Sequence, residues 1–277
     1  MQKLCREPSP AVSCSKAHQS TSESLSEKAQ QGKNSVPPRH RMISSVLSPA
    51  VRLWLRSQVE QVDQLEVEIE GGDRQLLTGH IPQVSISAQG VIYQGLHLSC
   101  IDLTGTGIRV NLGQVIKGKP LRLLEVVPVW GELLMREAEL NDSLKAPLLA
   151  NAVTEFLVNL LRSSDASGLA EGGEEQSLNL QNLSILIGAN QLTLSADLIS
   201  VSGETTLLVI RTGLEQVSEH ELQLTHPQWL PHLQAKRGLP LNDLHGFLID
   251  LGSEVDIETL TLEPGQIFCQ GKINVIP

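Results

Sequence analysis

Aromatic side chains are scarce in this chain: three Phe, three Trp and one Tyr among 277 residues. Proteins that read nucleic acids or sugars stack rings on bases or pyranose faces, and few rings are on offer here. The four cysteines, Cys5, Cys14, Cys100 and Cys269, show no C-x-x-C spacing. That pattern argues against a thiolate metal site and for reduced thiols, two of them buried in strands, in a reducing compartment. No apolar run approaches the roughly 20 residues needed for a membrane-spanning helix. The first 40 residues also lack the apolar core of an export signal. These absences lead to the expectation of a cytoplasmic protein, peripheral to a membrane.

Positive charge is short too, and unevenly placed. Residues 1–41 hold seven Lys/Arg and three Asp/Glu, which leaves 14 basic and 28 acidic side chains in residues 42–277. A body with a net charge of −14 repels nucleic-acid phosphates and anionic bilayers at long range, so a nucleic-acid partner is not expected. Any attraction to a membrane must come from a local patch.

What the chain has in quantity is Leu, Val and Ile, arranged in two periods. Residues 1–41 are polar and aperiodic, and are expected to be a disordered tail; Met42 is an alternative to Met1 as the start of translation. Ser48-Pro49 reads as a helix start. Val51, Trp54, Leu55, Val59 and Val62 then recur at helical spacing to about Asp63. At Leu65-Glu66-Val67-Glu68-Ile69-Glu70 the period becomes two, as in a strand with one wet face. Short strands are expected at Val84–Ala88, Leu96–Cys100, Ile108–Leu112 and Val126–Met135, forming an antiparallel meander.

Ala138–Arg162 reads as a long amphipathic helix, carrying Leu140, Leu144, Leu148 and Phe156, and Pro147 must kink or divide it. Residues 163–177 read as a polar linker between halves 42–162 and 178–277 of a single domain. Strand patterns resume at Leu178–Ile187, Leu192–Val201, Thr205–Arg211, Glu219–Thr225, Val255–Leu262 and Ile267–Val275, with a short helix expected at Leu241–Leu251. This order is α+β rather than α/β.

Several segments resemble one family. Leu47-Ser-Pro-Ala-Val-Arg-Leu-Trp-Leu-Arg56, Ile69-Glu-Gly-Gly-Asp-Arg74, Tyr93-Gln-Gly-Leu-His-Leu98 and Leu112-Gly-Gln-Val-Ile-Lys-Gly-Lys-Pro-Leu-Arg-Leu123 are similar to motifs of the bacterial LmeA-like phospholipid-binding family. That family was long catalogued as a domain of unknown function, and the similarity extends over about residues 42–277. The resemblance implies a tubular lipid-binding fold, in which a strongly curved antiparallel sheet wraps a long helix and lipid lies between them.

No catalytic pattern competes with that reading, and no enzyme activity is expected. Gly113–Lys119 falls one residue short of a nucleotide-binding loop, because Pro120 stands where Ser or Thr must hold Mg²⁺; a β-turn is the plainer reading. Gly105-Thr-Gly107 reads as a turn, and His226–His232 as a Pro-bounded loop. His220, His226 and His232 are spaced too widely for a usual metal site, and neither metal nor cofactor is expected. Carboxylates such as Glu66 and Glu68 form solvated stripes that cannot separate pKa values for acid–base work.

The expected function is non-enzymatic binding or transfer of phospholipid at a membrane surface. Candidate lining residues are Val51, Leu55, Leu140, Leu144, Leu148 and Phe156. Lys117, Lys119 and Arg122 are candidates for headgroup contact. The alternative is a structural or adaptor protein that binds another protein, of unknown identity, through its sheet faces.

Overall fold

The structure, a computed structural model, describes residues 42–115, 117–163, 179–199 and 203–277. The expected tail therefore lies outside the described residues, as does the polar linker beyond Ser163. Met42–Pro277 forms one compact unit.

Antiparallel strands dominate. Helix α1 (Met42–Gln58) leads to β1 (Gln64–Glu70), the short α2 (Asp73–Leu77), β2 (His80–Tyr93), β3 (Leu96–Arg109) and one turn of helix, α3 (Leu112–Val115). Then come β4 (Val127–Arg136), α4 (Glu137–Ser143), α5 (Pro147–Ser163), β5 (Asn179–Gly188), β6 (Gln191–Ile199), β7 (Thr205–Gln216) and β8 (Glu221–Trp229). The chain closes with β9 (Leu239–Pro240), a 3₁₀ turn at Asn242–Leu244, β10 (Leu248–Asp250), β11 (Val255–Glu263) and β12 (Gln266–Val275). Among the described residues the first sheet runs β1-β2-β3-β4-β12-β11, and the second β10-β8-β7-β6-β5 with β9 against β8. The final hairpin thus joins the sheet built by the first part of the chain, so the sheets do not follow the division at 163–177. The α+β class with antiparallel sheets is as the sequence indicates.

Several local expectations are corrected. Helix α1 begins at Met42, not at Ser48, and stops at Gln58. Pro49 lies inside it on the exposed side, where a carbonyl lacking its N–H partner can bond water. The two strands expected at Leu96–Cys100 and Ile108–Leu112 are one strand, and Gly105-Thr-Gly107 lies within it because β2 is long enough to pair Ile81 with Ile108. Beyond Arg109 the chain turns at Asn111, whose side chain bonds Pro120 O and Arg122 N at 3.0 and 2.8 Å. His226–Trp229 belongs to β8 rather than to a loop. Leu241–Leu251 is not a helix: Gly246 takes φ +88°, and Leu248–Asp250 pairs with the edge of β8. Pro147 divides the long helical stretch into α4 and α5.

Two positive-φ residues, Gln94 (+50°) and Gly95 (+76°), close the long β2–β3 hairpin. Gly95 is required for a second reason, since a Cβ there would collide with that of Ala146 in the α4–α5 connection.

The core is aliphatic and in two main parts. Val67, Ile69, Leu76, Ile81, Val84, Ile108 and Val127 pack under α1 and α2. Leu157 of α5, buried to 1%, meets Ile185, Leu194, Leu208 and Leu224 of the second sheet; full burial of one such Leu contributes about 1.5–3 kcal/mol.

Helix α4 joins the two sheets through polar side chains. Ile185 N–H donates to Asn141 Oδ1 at 2.9 Å, and Asn141 Nδ2 donates to Ile185 O at 2.8 Å. One helical turn earlier, the Glu137 carboxylate accepts from Ile187 N–H at 2.7 Å. On the other side Ser143 Oγ accepts from His97 N–H at 2.8 Å, and Ser99 bonds the Glu139 carboxylate. Asn141→Leu would leave the Ile185 N–H and C=O unpaired, at a cost of about 2–4 kcal/mol. Urea denaturation should show a lower midpoint with an unchanged slope; an unchanged midpoint would mean that the two sheets hold together without this contact.

Candidate functional site

The registers of the first sheet line up one unbroken apolar face. Leu65, Ala88, Ile101, Leu133, Cys269 and Leu260 lie side by side across all six strands. The neighbouring row is Val67, Ile86, Leu103, Gly131, Gly271 and Ile257, and the next is Ile69, Val84, Gly105, Val129, Ile273 and Val255. The opposite face alternates with Glu66, Ser87, Asp102, Glu132, Gln270 and Thr259. Period-two patterning on every strand produces this division.

Cover for the apolar face is incomplete. The first core takes Val67, Ile69 and Val84, and the second reaches Met135, Leu262 and Ile267 at the far end of the strands. Between them Ile101, Leu103, Leu133, Leu260 and Cys269 are only half-buried and belong to neither core. The opposed Gly131 and Gly271 place no side chain there, so the floor is low. Partial burial pushes the Cys269 thiol above its usual value.

Beside this strip, α1 and the segment after it form a wall. A cavity of about 210 Å³ is lined by Leu55, Val59, Val62, Leu65, Ile86, Ala88, Val91, Tyr93, Ile101 and Leu103, with Gln58 at its margin. It is smaller than the ~300 Å³ of a closed small-molecule site, but its strand residues continue into the uncovered strip. Gly90, between the lining residues Ala88 and Val91, takes φ +59°. A Cβ at Gly90 would collide with the Asp63 carboxylate, at the point where Asp63 N–H bonds Gln89 O at 3.0 Å.

The residues singled out in the sequence fall into three places. Val51 and Leu55 pack on the first core, and Leu55 lines the cavity. Leu140, Leu144 and Phe156 are in the second core, where Phe156 meets Phe247 edge-on at 6.0 Å. Leu148 is 47% exposed. The structure therefore does not bring these six together.

Lys117, Lys119 and Arg122 are all exposed in the loop after α3, and no carboxylate pairs with them among the described residues. Leu121 and Leu123 of this loop pack in the same core as Val51 and Leu55, so the basic loop adjoins the first core. Leu53, Trp54, Leu77, Leu124 and Val126, from α1, α2 and this loop, remain exposed.

Sequence reasoning missed Ile101, Leu103, Leu133, Cys269 and Leu260. Each sits at an apolar position of an alternating strand, so the signal was present. What the pattern does not carry is the pairing of β4 with β12, which turns separate strands into one surface.

A scan of family models matches residues 39–272 to the family described as LmeA-like phospholipid-binding. The chain belongs to the LmeA-like phospholipid-binding family. A search of curated proteins returned no match, and neither did a search of solved structures. Membership is in a family described by phospholipid binding. No helix among the described residues is long and apolar enough to cross a membrane.

Glu219, His220 and Asp256 offer ligand atoms within 4.8 Å of one another. His220 Nδ1 is engaged with Val255 O at 2.5 Å and lies 3.2 Å from Asp256 Oδ1. The Val255 carbonyl raises the His220 pKa, as does Asp256. The cluster is a hydrogen-bonded clamp between the β7–β8 turn and β11, present below the ordinary His pKa and lost as pH rises through the raised one.

Because Leu103 lies in the uncovered strip and Leu208 in a closed core, truncating them should differ in cost. Leu208→Ala should lose about 2–5 kcal/mol of unfolding free energy, and Leu103→Ala less than about 1.5 kcal/mol in lipid-free protein. Equal losses in chemical denaturation would show that Leu103 is covered.

Proposed function

We propose that the chain binds phospholipid by laying acyl chains along the uncovered apolar strip of the first sheet, against the wall made by α1, and that it loads or unloads at a membrane surface. The observation that carries this reading is the three-row apolar face whose middle neither core covers. Each acyl CH₂ moved there from water contributes ~0.8 kcal/mol before ordering costs. An aliphatic surface accepts chains without specific polar partners, which suits a core of Leu, Val and Ile. Leu55 is the residue proposed from both sequence and geometry. Leu140, Leu144 and Phe156 support the site from the neighbouring core, in keeping with a helix-against-sheet arrangement.

The acidic body needs a local device to approach an anionic leaflet. Lys117, Lys119 and Arg122 supply positive charge that no carboxylate pairs with among the described residues, in a loop that also exposes Leu124. Each basic residue near an anionic surface is worth about 1 kcal/mol, and at a Debye length near 8 Å the body's repulsion is screened while the loop is in contact. Lys117→Glu/Lys119→Glu should weaken cosedimentation with anionic liposomes at least about tenfold and leave the melting temperature and binding to neutral liposomes unchanged. Undiminished binding to anionic liposomes would show that this loop faces away from the membrane.

A further inference from the structure

The second sheet has a cavity of the opposite character, on the face turned away from α5. Leu208 and Ile210 of β7 point into the core, whereas Arg211 lines a polar cavity of about 290 Å³ together with Asn190, Thr212, Thr225, His226 and Lys236. No carboxylate lines it, in a body where acidic side chains number 28 and basic ones 14.

The cavity is built by a local departure from regular sheet. The β7–β8 register shifts between Arg211 and Gly213, with the extra residue on β8 at His226-Pro227. His226 takes φ +49°, and Asn190, in the tight turn between β5 and β6, takes φ +54°. Bulges and left-handed non-glycine residues cost energy and recur where a side chain must be re-aimed at a site. Thr212 Oγ1 fixes the irregularity, at 2.9 Å from Gly213 O and 3.2 Å from Thr225 O.

Arg211 decides the chemistry. It is half-buried, and its Nε donates to Thr193 Oγ1 at 3.3 Å. Among the described residues the ion pairs all use other cations. A guanidinium partly removed from water without a counter-charge is costly, and its remaining N–H groups suit an oxyanion in a two-pronged contact. Lys236 adds a second positive charge, and Asn190, Thr225 and Gln228 add uncharged polar groups around it. Two cations without a carboxylate match a doubly charged anion, and the volume leaves room for a small polar ester.

We propose that this cavity binds a phosphate group, either free or as the monoester headgroup of a lipid, with Arg211 and Lys236 as its counter-charges. The site is independent of the apolar strip, so it stands or falls separately from the acyl-chain reading. Calorimetric titration of the full chain with inorganic phosphate, and with neutral vesicles containing phosphatidic acid, tests it. Saturable binding of inorganic phosphate, weakened at least about tenfold by Arg211→Gln and by Lys236→Gln, would establish a site for free phosphate. Saturable binding only to the phosphatidic acid vesicles, weakened in the same variants, would assign it to a lipid headgroup. Lys236 is exposed, so Lys236→Gln remains informative if Arg211→Gln fails to fold. No saturable binding of either probe, or equal binding by wild type and the variants, would overturn the proposal.

Discussion

A strand at the edge of a sheet presents a row of N–H and C=O groups that must find partners. The outer edge of β5 finds them in side chains and in the β11–β12 hairpin, where Gly265 N–H donates to Ile187 O at 3.0 Å. Asn141 takes both backbone groups of Ile185, and Glu137 takes the N–H of Ile187. The same short helix is tied to β3 through Ser143 and Glu139. Its apolar residues, Leu140 and Leu144, enter the core of the second sheet. Helix α4 thus fixes one sheet against the other, ends β5 as a pairing edge, and sets where α5 departs toward the second core.

With α5 committed to the second sheet and α1 and α2 against β1 and β2 at one edge of the first, the middle of the first sheet's apolar face is left without a helix. Hydrophobic burial favours closing a half-covered surface of this kind. The family to which the chain belongs is described by phospholipid binding, and phospholipid is the occupant proposed for this strip. The polar face of the same sheet, with Glu66, Glu68, Asp102 and Glu132, keeps the protein hydrated on its other side. Against the acidic excess, the cations on the loop at 117–122 and around Arg211, without a carboxylate partner among the described residues, are the points proposed for the approach of anions.

Much of the fold is legible in the residues because local patterning and tertiary structure agree. The alternation at Leu65–Glu70 fixes β1 and its wet face, and Pro147 separates α4 from α5 because a proline removes a backbone donor. The family motifs are mostly turns and close approaches: Gln94-Gly95 closes a hairpin and meets Ala146, and Gly72 starts α2. Leu241, Leu244, Phe247 and Leu248 have helical spacing, yet the edge of β8 recruits Leu248–Asp250 as a strand, a long-range pairing that overrides a local pattern. The site is less legible than the fold. Its row from Leu65 to Leu260 depends on β4 pairing with β12, although the strands of the second sheet lie between them in sequence, and no local signal reports that. The cavity at Arg211 depends on a bulge at His226-Pro227, where the sequence alone suggests a loop.

Cys269 lies in the Leu65–Leu260 row of the proposed acyl-chain site, whereas Cys100 is buried on the other face of the same sheet. Alkylation of the two thiols can be followed by peptide mass spectrometry, at alkaline pH because burial holds the Cys269 thiol above its usual pKa. Loading lipid-free protein with phospholipid should slow modification of Cys269 at least about tenfold and leave Cys100 unchanged, since a chain lying on the strip excludes reagent and water together. An unchanged Cys269 rate in protein shown to carry phospholipid would place the lipid elsewhere and contradict the account.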